Sequence, residues 1–175
     1  MSVKKTLFAV IAIAIILYLL FAVKIFNFVS FDEGLKEINS IDNEFDLGEK
    51  LVPAEENQLK EYQAELTGLE KEFSEKNQND DIKALNYLIT AKKELAQMQL
   101  DLIELQKTQE CNAQIELIDS IIKSATTAGS AVQDYVSYYP DLAEKTNTWN
   151  ENALDTTDVA VNSFNKLKQE AERTC

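Results

Sequence analysis

Cys111 and Cys175 are the only thiols in the chain, and histidine is absent. Two thiolates leave a zinc ion short of its usual four Cys or His ligands, and no metal site is expected. Without an imidazole no Ser–His–Asp or Cys–His set can be assembled, and the commonest general base is missing. Two readings of the cysteines remain open: a disulfide, or two free thiols of which one lies on a loose tail. Paired acids occur at Asp80–Asp81 and at Asp155 and Asp158, but acids at helix starts and on exposed faces are ordinary. Asp42, Glu44 and Asp46 open like a calcium loop. That pattern fails at Leu47, where glycine is needed, and at Pro53, where a bidentate glutamate should stand, so a solvated acidic turn is expected. Neither a glycine-rich phosphate loop nor an HExxH pair is present. The expectation is therefore a protein that is not an enzyme, with no catalytic, cofactor-binding or metal-ligating residue.

One further concentration invites contact chemistry: Tyr135, Tyr138 and Tyr139 before Pro140, with Trp149 beyond. Tyrosine and tryptophan bury large areas at low entropic cost and are frequent in binding surfaces. These four residues are candidates for partner contact. They serve equally well as a cap on the core, with Tyr135 and Tyr138 packing against Trp149.

The segment that must position all of this is Thr6–Val23, eighteen residues without a charge. At 1.5 Å per residue it spans roughly 27 Å, close to a hydrocarbon core. Lys4 and Lys5 precede it and Lys24 follows, so the positive-inside rule places the N-terminus in the cytoplasm and Asp32 onward outside the cell membrane. The rival is a cleaved secretory signal, which would leave a secreted helical protein. The apolar run exceeds the usual h-region of about 7–15 residues, and its exits at Ala22 and Ser30 follow bulky Leu20 and Phe28. A single-pass signal-anchor helix is the expectation.

All 30 acidic residues lie at or after Asp32, as do 14 of the 17 basic ones, which gives that part a net charge of −16. Such a surface repels nucleic acid and anionic lipid. Few glycines and prolines and little β-branched alternation point to an all-α chain. The expected organisation is a cytoplasmic tail over 1–5, the transmembrane helix over 6–30, a stalk or linker over 31–52 and an extracytoplasmic bundle over 53–175.

Within that bundle, Pro53 suits a first helical turn. Leu59, Tyr62, Leu66, Leu69 and Phe73 then step by 3 and 4 along one stripe. Asp80 or Asp81 caps a second helix with Leu85, Leu88, Ala91, Leu95, Met98, Leu102 and Leu105 on its face. Ile89, Leu100 and Ile103 widen that face and mark the helix as the most buried of the set. A third stripe runs Ile115, Ile118, Ile122, Ala125, Gly129, Val132 and Val136. Its second half, Ser124–Ala131, is made of small residues, a seam for close helix approach or the lining of a polar pocket. A fourth, more polar helix follows Pro140, capped by Asp141 or Thr146. Four such helices with short connections pack as an antiparallel up-down bundle, with a three-helix bundle or coiled coil and an irregular C-terminal region as the alternative.

That topology puts Cys111 and Cys175 at one end, next to the membrane, and the tyrosines at the far tip. An exported location permits the disulfide. Two classes of function fit: a non-catalytic structural or protein-interaction role at the envelope, through a protein partner or self-association, or a small-ligand-binding, sensor-like bundle acting through a membrane partner. Only about five residues lie inside the cell, too few for an output domain of the chain's own.

Overall fold

A computed structural model describes residues 29–48, 50–76, 79–138 and 147–175. They form five α-helices and no strand: α1 Phe31–Glu44, α2 Glu56–Ser74, α3 Asp80–Lys107, α4 Cys111–Tyr138 and α5 Asn147–Thr174. The expected all-α class holds. The expected span over 6–30, with Lys4, Lys5 and Lys24, lies outside the described residues, as do Tyr139, Pro140 and the caps at Asp141 and Thr146. Among the described residues no helix is long and apolar enough to cross a membrane.

Residues 31–52, expected as a stalk, fold onto the bundle. Ser30 starts α1 with a reciprocal capping box: its hydroxyl accepts from the Glu33 N–H at 3.4 Å, and its own N–H donates to Glu33 Oε2 at 3.2 Å. Phe31, Gly34 and Ile38 then form one buried face, and Leu47 is buried beyond the helix end. Gly34 is a contact rather than a breaker. A Cβ there would overlap Cδ1 of Leu85 on α3 and stand 3.2 Å from Cζ of Phe73 on α2. After α1 the chain turns through Asp46 and Gly48, both at positive φ.

Two starts differ from the expected ones. α2 begins at Glu56, and Pro53 is buried in the loop before it. The cap of α3 is Asn79, whose Oδ1 accepts from the Ile82 N–H at 2.8 Å. Asp80 and Asp81 instead occupy the first turn, where carboxylates favour the positive end of the helix.

α3 is the shared wall of two cores. On one side Ile82, Leu85, Leu88 and Ile89 pack with Ile38 of α1, Leu59, Tyr62, Leu66 and Phe73 of α2, and Tyr135 of α4. On the other, Ala91, Leu95 and Met98 pack with Ile121, Ala125, Ala128 and Val132 of α4 and Ala153 and Ala160 of α5. This explains why its apolar face is wider than one stripe. The third stripe is also rotated: the buried positions on α4 are Ile118, Ile121, Ala125, Ala128, Val132 and Tyr135, while Ile122, Gly129 and Val136 flank them.

Named contacts fix the directions of the helices. Glu56 at the start of α2 pairs with Lys107 at the end of α3 at 2.6 Å. Ser120 of α4 donates to Asp101 of α3 at 2.7 Å, and Lys168 of α5 meets Asp119 of α4 at 2.6 Å. α1 runs parallel to α3, from Phe31 beside Asp81 to Asp42 beside Lys92. This additional pass reverses the expected ends. Phe31 stacks on Tyr135 with ring centroids 6.2 Å apart, so the chain enters at the tyrosine end. Cys111 lies at the other end of α4, roughly 36 Å away along its axis.

Candidate functional site

The most unusual chemistry lies in the interior. Lys92 of α3 is 3 % exposed, and its Nζ donates to Asp42 Oδ2 at 2.8 Å. The other carboxylate oxygen, Oδ1, accepts from the Tyr62 hydroxyl at 2.8 Å. The ammonium stands 4.3 Å from the centroid of the Trp149 ring of α5, a cation–π contact in a desolvated setting. Phe45 closes the other side edge-on to Tyr62, centroids 5.3 Å apart. Burial pushes the Lys92 pKa below its usual value, and the Asp42 carboxylate opposes that shift. The Tyr62 phenol is pushed up, first by burial and then by Asp42, so it remains a donor. Four elements therefore converge on one ion pair: α1, α2, α3 and the first turn of α5. Among the described residues no acceptor meets the buried Trp149 Nε1.

One turn further along α3 and α5 a cleft of about 540 Å³ opens. Leu95 and Met98 line it from α3, Lys50–Ala54 from the loop before α2, and Asn152, Asp155 and Thr156 from α5. Its size lies within the range of small-molecule sites.

A second polar network bridges α2, α3 and α4. Gln63 donates to the Lys93 carbonyl at 3.1 Å and to Gln97 at 3.3 Å, and Gln97 donates to Asp101 at 2.8 Å. Asp101 also accepts from Ser120, so this buried carboxylate is satisfied by neutral donors.

Of the residues singled out in the sequence, the described aromatics join the first core and the two cysteines meet at the other end of α4. Tyr135 is 1 % exposed and stacks on Phe31. Tyr138 is half-buried against Tyr87, centroids 5.7 Å apart. Trp149 sits over Lys92 and, with Tyr138, packs against the first core that holds Tyr135, the place expected of a core cap. Cys111 and Cys175 lie at disulfide distance, with Cα atoms 5.9 Å apart. Asp42 is an ion-pair partner rather than the first ligand of a cation loop. Among the described residues no group of three or more metal-ligating side chains occurs. The small-residue seam brings α4 and α5 together at Gly129, where a Cβ would stand 3.0 Å from Thr157 Oγ1, and it leaves a hollow of only about 200 Å³.

Sequence reasoning missed Lys92, Gln97 and Asp101. A charged residue one place beyond an apolar stripe position, as Lys92 is beyond Ala91, is the pattern that marks such buried partners on a helix enclosed from two sides. No protein-family model, curated protein or solved structure matches the chain.

Proposed function

We propose that the chain is a single-pass membrane-anchored protein whose helical bundle stands outside the cell, with a non-catalytic structural or protein-interaction role at the envelope. In this reading Thr6–Val23 spans the membrane with Lys4 and Lys5 inside, and α2 to α5 form the antiparallel up-down bundle to which α1 adds a fifth helix. The observation that carries it is the cysteine pair. Two thiols 64 residues apart meet at disulfide distance, at the end remote from where the chain enters, and a bond there belongs to an oxidising compartment.

The contact face favoured for a protein partner or a second copy is the outer side of α5 rather than the tyrosine tip. α5 packs against α4 and leaves Val159 64 % and Leu167 40 % exposed, whereas Tyr135 is enclosed. The net charge of −16 argues against nucleic acid as that partner.

The intact mass of the protein purified from membranes, without reductant and with thiol alkylation, tests the reading. The full chain with two hydrogens fewer and no alkylation is expected. A chain lacking its first twenty-odd residues would instead mean a secreted protein, and two alkylated thiols would remove the oxidising compartment.

A further inference from the structure

The cleft beside α3 combines an apolar floor with charged side chains of both signs in its lining. In the neighbouring network Gln63, Gln97 and Ser120 all donate within the bundle. At the cleft, Lys50 on the covering loop and Asp155 on α5 have no ion-pair partner among the described residues. They carry opposite charge and line the cleft from two different elements. Between them lies an apolar floor of Leu95 and Met98, both buried. The covering loop is stiff at its centre, since buried Pro53 fixes its own φ, and Leu51 and Val52 anchor it on the second core. Met98 supplies a side chain that adapts to varied apolar shapes.

We propose that this cleft binds a small zwitterion with an apolar body, an apolar α-amino acid or dipeptide. Its ammonium faces Asp155, its carboxylate faces Lys50, and its side chain rests on Leu95 and Met98. A volume of about 540 Å³ accommodates a dipeptide together with its approach from solvent. A ligand of one charge only would leave either Lys50 or Asp155 without a partner, so discrimination comes from needing both ends. The proposal is independent of membrane attachment, because every residue it uses lies between Lys50 and Thr156.

Isothermal titration of the full chain in detergent with L-phenylalanine and L-leucyl-L-leucine tests it. Saturable binding at one site is expected for at least one of them. The matching N-acetyl and C-amide forms, each lacking one charge, should bind at least about tenfold more weakly, as loss of a charge-assisted hydrogen bond implies. Asp155→Asn should erase the penalty for N-acetylation, and Lys50→Gln the penalty for amidation. Both positions are exposed, so these variants retain the fold. Met98→Trp should fill the floor and abolish binding. Absence of saturable heat with both zwitterions would overturn the proposal, and so would equal affinity for the blocked forms.

Discussion

Lys92 is held in the interior by three groups, and each acts on the ammonium differently. Asp42 supplies opposite charge, Trp149 a polarisable face, and Tyr62 orients the carboxylate by occupying its second oxygen. Removing the carboxylate leaves a buried cation with only a ring beside it. Asp42→Ala is therefore expected to cost about 3 kcal/mol, the lower end for a broken buried pair because Asp42 is itself 21 % exposed. Lys92→Met removes the charge and keeps much of the volume, so it should cost clearly less, and urea melts of the two variants check that order. The pH response has a definite sign. Burial lowers the folded pKa of Lys92 from 10.5, so at pH values between the two the unfolded chain holds a proton that the folded chain has released. Stability from this group rises with pH across that window. The difference between wild type and Lys92→Met should therefore move in favour of wild type as 10.5 is approached, and a flat difference would contradict the burial argument.

α1 is the element that the sequence reads as a stalk or linker, and the reason is physical. Its fourteen residues carry only a short apolar face, and Gly34 within it reads as a helix breaker until its neighbour is known. The longer helices were legible because each repeats a 3–4 stripe over many turns: Leu59, Tyr62, Leu66 and Phe73 on α2 are buried as their spacing implies, with Leu69 half-buried, and so are Leu85 to Met98 on α3. On α4 the phase was misread, since small residues on two adjacent stripes look alike until α3 and α5 are placed on either side. The interior ion pair was illegible for a related reason. Asp42 and Lys92 are fifty positions apart, and only the parallel docking of α1 on α3 brings them together. That docking makes a prediction about glycines. Gly34→Ala would drive a methyl group into Leu85, itself fully buried, and is expected to cost roughly 1–3 kcal/mol by overpacking. Gly68→Ala on α2 meets open space and should add stability of about 0.5–1 kcal/mol from helix propensity. Thermal melts of the pair would show opposite shifts, and a tolerated Gly34→Ala would mean that α1 is held loosely. α2 has its own tie at the far end. Hydrogen bonds from Lys107 and Lys60 pull the Glu56 carboxylate from 4.5 down to about 2. Its contribution is complete above 4.5 and is lost as the pH falls towards 2, so Glu56→Gln should flatten that part of the acid unfolding curve.

Across the whole molecule, stability is divided between two cores that share α3 as a wall, with Val52, Val136 and Trp149 packed against both. The first is built mainly from α1, α2 and α3 with Tyr135 of α4, and the second from α3, α4 and α5. The second is thinner: its contacts on α4 and α5 are mainly alanines, and α5 has α4 as its one extensive neighbour. The cysteine pair joins the first residue of α4 to the residue after α5, so a bond there closes the weaker core at its open end. Closing that span is worth about 4 kcal/mol on the chain-entropy estimate. Reduction, or Cys111→Ser, should therefore act unevenly. Hydrogen exchange is expected to accelerate first in α5 from Lys166 onward, then on the Ala91–Met98 side of α3, and last in α2, whose packing on α1 and α3 does not involve the bond. Peptide-resolved exchange under reducing and non-reducing conditions checks the sequence of events. Uniform acceleration would mean that α3 couples the cores into one cooperative unit, and no acceleration would mean that the alanine seam alone holds α5. If exchange shows the protective effect to be local, the outer face of α5 with Val159 and Leu167 should be firm only while the bond is intact. A partner that binds this face should accordingly lose affinity on reduction, even though α1, α2 and the Lys92 ion pair remain folded.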